Sequence, residues 1–162
     1  MKLKSFIFSS VLFLPFVASA ATTASGTATI NVVADVNPSV AILSANNTSL
    51  TDITLAFIPG QGLGAGTEMV RLASNDSQHG VDVSLANDLA LTNSADASTV
   101  PMAVTLGNKA LSTTPTSFNK ELFSNGETSP IQLSVKATGD TKALTAGHYS
   151  GIVNIVLAQS TS

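Results

Sequence analysis

An all-β fold, an immunoglobulin-like antiparallel β-sandwich, is predicted by three features of the sequence. Apolar residues recur at every second position in one run after another, as in a strand with one buried face, because successive side chains point to opposite sides. Gly and Asn punctuate these runs at short intervals, and both tolerate the positive φ that tight turns require. Helical periodicity is confined to residues 116–123, where Phe118 and Leu122 lie four apart and predict about two helical turns. Many short strands, regular turns and almost no helix define the sandwich class.

Residues 1–20 precede that pattern and read as a secretory leader: Lys2 and Lys4, an apolar run over 6–17 interrupted by Pro15, then Ala18-Ser19-Ala20. The run is about 12 residues, short of the roughly 20 of a spanning helix. Cleavage after Ala20 is expected, leaving no stable membrane anchor. The uncleaved anchor is the weaker alternative, given the small residues at the cleavage site.

The elements then follow in order. Ala28, Ile30, Val32, Ala34 and Val36 alternate with Thr27, Thr29, Asn31, Val33 and Asp35, and Pro38 blocks continuation of that ladder. Ile53, Leu55 and Phe57 form a second set, stopped by Pro59-Gly60. Val70 and Leu72 flank Arg71. Val81, Val83 and Leu85 predict a strand, as do Met102, Val104 and Leu106, and Ile131, Leu133 and Val135. A last continuous strand is expected over 149–157, with Tyr149, Gly151, Val153, Ile155 and Leu157 on one face and Ile152, Asn154 and Val156 on the other. Apolarity on both faces predicts a central or doubly covered strand. Turns are expected at Ala45-Asn46-Asn47, Asn75-Asp76, Asn125-Gly126 and Gly139-Asp140, a mobile loop over 60–66, and a tight hairpin at Gly107-Asn108. No long linker divides the sandwich.

Composition narrows the chemistry. With 44% apolar and 10% charged residues, the chain has the material for a core and lacks the charge density of a disordered segment. Absence of cysteine excludes a disulfide framework and a thiolate metal site. The net charge is −3, and two of the seven cations, Lys2 and Lys4, lie in the leader; no Lys/Arg cluster remains to neutralise phosphates, so nucleic acid is not an expected partner. His79 and His148 are the only imidazoles. Neither sits in a motif that joins a base to a nucleophile and an orienting carboxylate, so a small hydrolase is the rival the sequence supports least. Asn75-Asp76 and Asn87-Asp88 lack the dense acidic spacing of a calcium loop. The glycines of 60–66 lack the Lys-Ser/Thr and helix of a phosphate cradle. No catalytic residue, cofactor or metal site is expected.

The run from Ala28 to Val36, followed by Val40-Ala41-Ile42-Leu43, resembles the amino-terminal donor strand of the major pilins of the alternate chaperone–usher pathway, the CFA/I and CS1 fimbrial family of enteric bacteria. Further matches run through the chain in order: Leu55-Ala56-Phe57 with Pro59, Arg71 in its strand, Val81-Asp82-Val83-Ser84-Leu85-Ala86, and Met102-Ala103-Val104-Thr105-Leu106-Gly107. Leu111-Ser112-Thr113-Thr114, the Phe118 segment and Ala146-Gly147-His148-Tyr149-Ser150-Gly151-Ile152-Val153 complete the set. Absence of cysteine agrees with that family. The glycine-rich stretch over 60–66 departs from it.

Alternation alone shows that one face of the 28–36 run is buried without showing in which molecule: it is the first strand of its own sandwich or a strand given to another copy. The resemblance implies the second. It implies a leader over 1–20, a donor segment over 21–37 with Ile30, Val32, Ala34 and Val36 as inserting residues, and an incomplete pilin sandwich over 38–162. It further implies a major fimbrial subunit that polymerises head to tail and supports adhesion to host cells. The partners implied are identical subunits, a periplasmic chaperone, an outer-membrane usher and a minor tip adhesin, and the route runs through the periplasm to a surface fimbrium. The alternatives are a monomeric secreted or periplasmic binding module and a minor tip adhesin. The chain leaves no room for a second domain, and Tyr149, the only Tyr, offers no aromatic cluster for a sugar.

Overall fold

The computed structural model describes residues 29–161. The expected leader, and Ala28 of the alternating run, lie outside the described residues. The chain divides into two units between Asp35 and Val36. In the first, residues 29–35 form no strand and are exposed. The second carries the sandwich.

Its strands, in chain order, are β1 (Val40–Ser44), β2 (Phe57–Ile58), β3 (Gly62–Leu63), β4 (Gly66–Ser74), β5 (Val81–Leu85), β6 (Ala90–Asn93) and β7 (Thr99–Leu106). They continue with β8 (Lys109–Leu111), β9 (Thr116–Phe118), β10 (Phe123–Ser124), β11 (Glu127–Thr128), β12 (Ile131–Ala137), β13 (Tyr149–Ser150) and β14 (Ile155–Gln159). All pairings are antiparallel. The large sheet runs β10-β11-β4-β12-β7-β6-β13, with β1 also on β4 and β8 on β7; the small sheet runs β14-β5-β9. Ala73 of β4 faces Ala41 of β1 on one side and Glu127 of β11 on the other, so β1 forms an outer edge of the large sheet.

The alternation sets the core. Val70 and Leu72 of β4, Val104 and Leu106 of β7, Leu133 and Val135 of β12, Val81 and Val83 of β5 and Phe118 of β9 are buried in one cluster. Each contributes about 1.5–3 kcal/mol by leaving water. Registers keep these rows on one face, with Leu133 opposite Leu106 and Val135 opposite Val104; a slip of one residue would turn all of them outward. The Gly107-Asn108 turn is the expected two-residue hairpin, closing Leu106 on Lys109 with Gly107 at φ +62°. Asn125-Gly126, at φ +54° and +83°, closes β10 on β11, as a turn with two positive φ values demands.

Four expectations are corrected. Residues 116–123 form no helix: β9 pairs with β5, placing Phe118 opposite Val81 in the core, and only Lys120–Leu122 makes a single 3₁₀ turn. Pairing with a buried strand outweighs the weak four-residue spacing. Residues 53–56 make no ladder, and Ile53 and Leu55 instead lay their side chains over Gly66, which has none to exclude them. The stretch over 60–66 is not simply a mobile loop, since it holds β3, which closes as a small hairpin on β2 and is tied down by Leu63 N–H donating to Thr141 Oγ1 at 2.8 Å. The last strand is neither continuous nor central. β13 pairs with β6 in the large sheet, 151–154 form no strand, and β14 pairs with β5 as an edge of the small sheet.

Thr128 shows how the ladder is completed where β11 gives way to β12. Its buried hydroxyl accepts the Leu72 N–H at 3.1 Å, replacing a strand carbonyl. Thr128→Val is expected to keep the packing and orphan that N–H, lowering stability by about 1–3 kcal/mol, measured as a shift in the denaturation midpoint. Beside it, Arg71 donates from Nε to the Ala45 carbonyl at 3.0 Å and from Nη1 to the Thr128 carbonyl at 2.9 Å. One guanidinium thereby fastens the turn after β1 to the strand on the far side of β4.

Candidate functional site

The Gly147-to-Gly151 stretch quoted in the resemblance is built for the switch between sheets. A Cβ at Gly147 would collide with Asn93 Oδ1, and one at Gly151 would lie 2.6 Å from the Ala90 carbonyl oxygen, so both positions require glycine for close approach to β6. Between them the Tyr149 ring packs on the core, and its hydroxyl donates to the Thr145 carbonyl at 3.1 Å. These residues shape the fold.

What the switch creates is an open side. β14 is paired on one side only, by β5, and β1 on one side only, by β4, and these two edge strands lie against each other. The inward row of β5 shows what full cover looks like: Val81 and Val83 are 0% exposed and Leu85 6%. On its neighbour β14, Ile155 and Leu157 also pack on the core yet stay only partly buried, as does Val153 just before it. Val40 and Ile42 of β1 behave the same way. Apolar rows along these two neighbouring edges are only half-covered, and each edge has backbone N–H and C=O groups that no strand pairs.

The residues singled out from the sequence are exposed. Ile30 is 83% exposed, Val32 88% and Val36 79%, Ala34 is exposed, and residues 29–39 form no strand. Branched side chains left this open are unusual in number for a soluble surface. An incomplete sandwich was expected, but no residue of the open edges β1 and β14 was singled out from the sequence. Their signal was the two-sided apolarity of 149–157, since Ile152 is 75% and Val156 46% exposed.

His79 Nδ1 lies 2.8 Å from Asp76 Oδ2 in an exposed turn, where Asp76 Oδ1 accepts the Gln78 N–H at 2.7 Å. The Gln78 N–H, then His79, hold the Asp76 carboxyl below the usual carboxylate range. His148 offers its carbonyl to the Ser94 N–H at 2.9 Å. Among the described residues no three His, Cys, Asp or Glu side chains gather as a metal site, and no helix is long and apolar enough to cross a membrane.

An antiparallel immunoglobulin-like sandwich whose first and last strands are both free edges has the architecture of a pilin subunit. Comparison with known proteins makes that specific. Residues 27–158 match the family model for the CS1 type fimbrial major subunit. The CS1 fimbrial protein of Escherichia coli is 33% identical over 145 residues, covering 82% of this chain and 85% of that one. The CFA/I fimbrial protein of Escherichia coli is 31% identical over 168 residues, covering 97% and 98%. The solved structure of the CooA pilin from enterotoxigenic Escherichia coli superimposes with a TM-score of 0.67 at 33% identity, over 75% of this chain and 88% of that one.

The chain belongs to the CS1 type fimbrial major subunit family. It is a major structural subunit of a fimbria, in a family of structural proteins and not of enzymes, and its place is a surface filament of identical subunits.

Proposed function

We propose that subunits of this protein join by donor-strand exchange: Ile30, Val32, Ala34 and Val36 of one copy insert as a strand along the gap between β1 and β14 of another. The observation that carries this reading is the pair of neighbouring sheet edges, each paired on one side only, whose inward apolar rows are half-covered. Strand addition at such an edge gains affinity from main-chain hydrogen bonds and specificity from pockets for alternate side chains. The three branched donors are almost wholly exposed in the lone chain. Nearly their full burial is therefore available, about 5–9 kcal/mol together at 1.5–3 kcal/mol each. Such a joint is head to tail, so it propagates as an open filament.

An open edge of this kind is an aggregation hazard before assembly. A periplasmic chaperone covering the gap and an outer-membrane usher at which the incoming strand replaces it are the partners this need implies. A leader over 1–20 directs the chain to the periplasm, 21–37 is the donor segment and 38–162 the accepting sandwich. The finished fimbria supports adhesion to host cells, with a minor tip adhesin providing the receptor contact.

A synthetic peptide of residues 27–37, added in excess to the mature chain, is expected to occupy the gap and shorten the polymers. A scrambled peptide should have no effect. Polymer length insensitive to the native peptide would contradict the assignment.

A further inference from the structure

The donor residues are tethered very closely to the sandwich. Val36 is separated from the first residue of β1, Val40, by Asn37, Pro38 and Ser39 alone, a Cα-to-Cα span of about 13–14 Å when fully extended. Asn75, in the loop after β4, holds that tether on both sides of Pro38. Its Oδ1 accepts the Ser39 N–H at 2.7 Å, its Nδ2 donates to the Asn37 carbonyl at 2.8 Å, and its own N–H donates to the Ser39 carbonyl at 3.3 Å. A side-chain amide can accept and donate at once, which a carboxylate or an alkyl group of that size cannot. Pro38 adds a fixed φ.

The clamp has a firm base. The Ser74 N–H donates to the Gly126 carbonyl at 2.8 Å, and the Asp76 N–H to Ser74 Oγ at 3.2 Å. Around the clamp lies a surface hollow of about 610 Å³, whose lining includes Ser39, Asn75, Ser77, Lys120, Phe123 and Glu127. A copy that accepts residues 30–36 is held within a three-residue tether of this face.

We propose that Asn75 is the positioning residue that sets the angle between consecutive subunits, and that the hollow around it is the surface on which the copy accepting the strand rests. The proposal rests on the donor-strand reading and adds to it a second, non-strand contact. The clamp fixes the direction in which the strand leaves without taking part in its insertion. Weakening it should leave each joint intact and loosen the geometry from one joint to the next.

The test uses fibres of the full mature chain. Asn75→Asp keeps the acceptor for Ser39 and loses the donor to Asn37, and Asn75→Ala loses both. Each is expected to give heat-resistant ladders on gels together with fibres of altered subunit repeat and sharper bending by electron microscopy, Asn75→Ala the more so. Ladders with the repeat and stiffness of the unmodified chain would overturn the role of Asn75. Ser77→Cys gives a readout that leaves the clamp intact: its maleimide labelling, present in the unassembled chain, should be lost in fibres, and equal labelling in both states would overturn the contact surface. Absence of ladders from the unmodified chain is a separate outcome, which removes the donor-strand reading and this proposal with it.

Discussion

Replacing Val32 with Asn is expected to abolish polymerisation while the subunit still folds and is exported. Val32 is 88% exposed and outside every strand, so the lone sandwich has nothing to lose by the change. In the joint the loss is twofold. About 1.5–3 kcal/mol of burial disappears, and a buried amide without a partner costs a further 1–3 kcal/mol or so. Together these weaken each joint by roughly two to four powers of ten, at about 1.4 kcal/mol per tenfold. Ile30→Asn should act in the same way. Val33, nearly as exposed at 87%, sits on the opposite side of the same alternation, and Val33→Asn should assemble almost normally. The comparison is made on gels of unheated and heated material. Equal ladders from Val32→Asn and Val33→Asn would remove the assignment of the inserting face, because only the two-residue period distinguishes them.

Replacing Leu157 with Asn should block the other half of the joint. Leu157 packs on the core from the open edge strand β14 and is only partly buried, so the folded chain loses a fraction of one side chain's burial. In the joint it is the floor on which an inserted strand would lie, and the amide would then be enclosed without a partner. A Leu157→Asn chain should donate a strand and not receive one, and a Val32→Asn chain should receive and not donate. Each alone should remain monomeric. Mixed in equal amounts they should form dimers and stop there, since the dimer retains only a defective donor and a defective gap. Longer species in the mixture, or polymers from Leu157→Asn alone, would show that the gap beside β14 is not where the strand enters.

The fold class was legible because burial in a sandwich follows a period of two, and Val70, Val83, Val104 and Val135 all fall where that period puts them. The Gly107-Asn108 hairpin was legible for a local reason, a positive φ that few residues accept. Sheet membership was not. Tyr149-to-Leu157 reads as one strand because its alternation is unbroken, and the division lies in its partners, β6 for Tyr149–Ser150 and β5 for Ile155–Gln159, which are distant in sequence. The helix expected over 116–123 failed for a related reason: Phe118 is held by Val81 across the β5–β9 ladder, and four-residue spacing carries no information about that neighbour.

The two sides of the proposed joint differ in how visible they are in the sequence. Ile30, Val32, Ala34 and Val36 stood out because they fall on one side of a two-residue alternation that Pro38 closes. The accepting gap left a fainter trace, since an edge strand with two apolar faces has the same sequence as a covered one. Asn75 left none. An Asn beside an Asp in a turn is ordinary, and its three bonds to Asn37 and Ser39 emerge only when residues 36 to 38 positions away are brought together.

Size-exclusion chromatography of the purified mature chain, residues 21–162, with electron microscopy of the early-eluting material, tests the central claim most directly. Donor-strand exchange predicts heat-resistant head-to-tail ladders and thin fibres, because a gap in one copy and a strand on the next can be satisfied only by addition without closure. A stable monomer with residues 21–37 protected from proteolysis would contradict it, showing that the sandwich completes itself with its own amino-terminal strand.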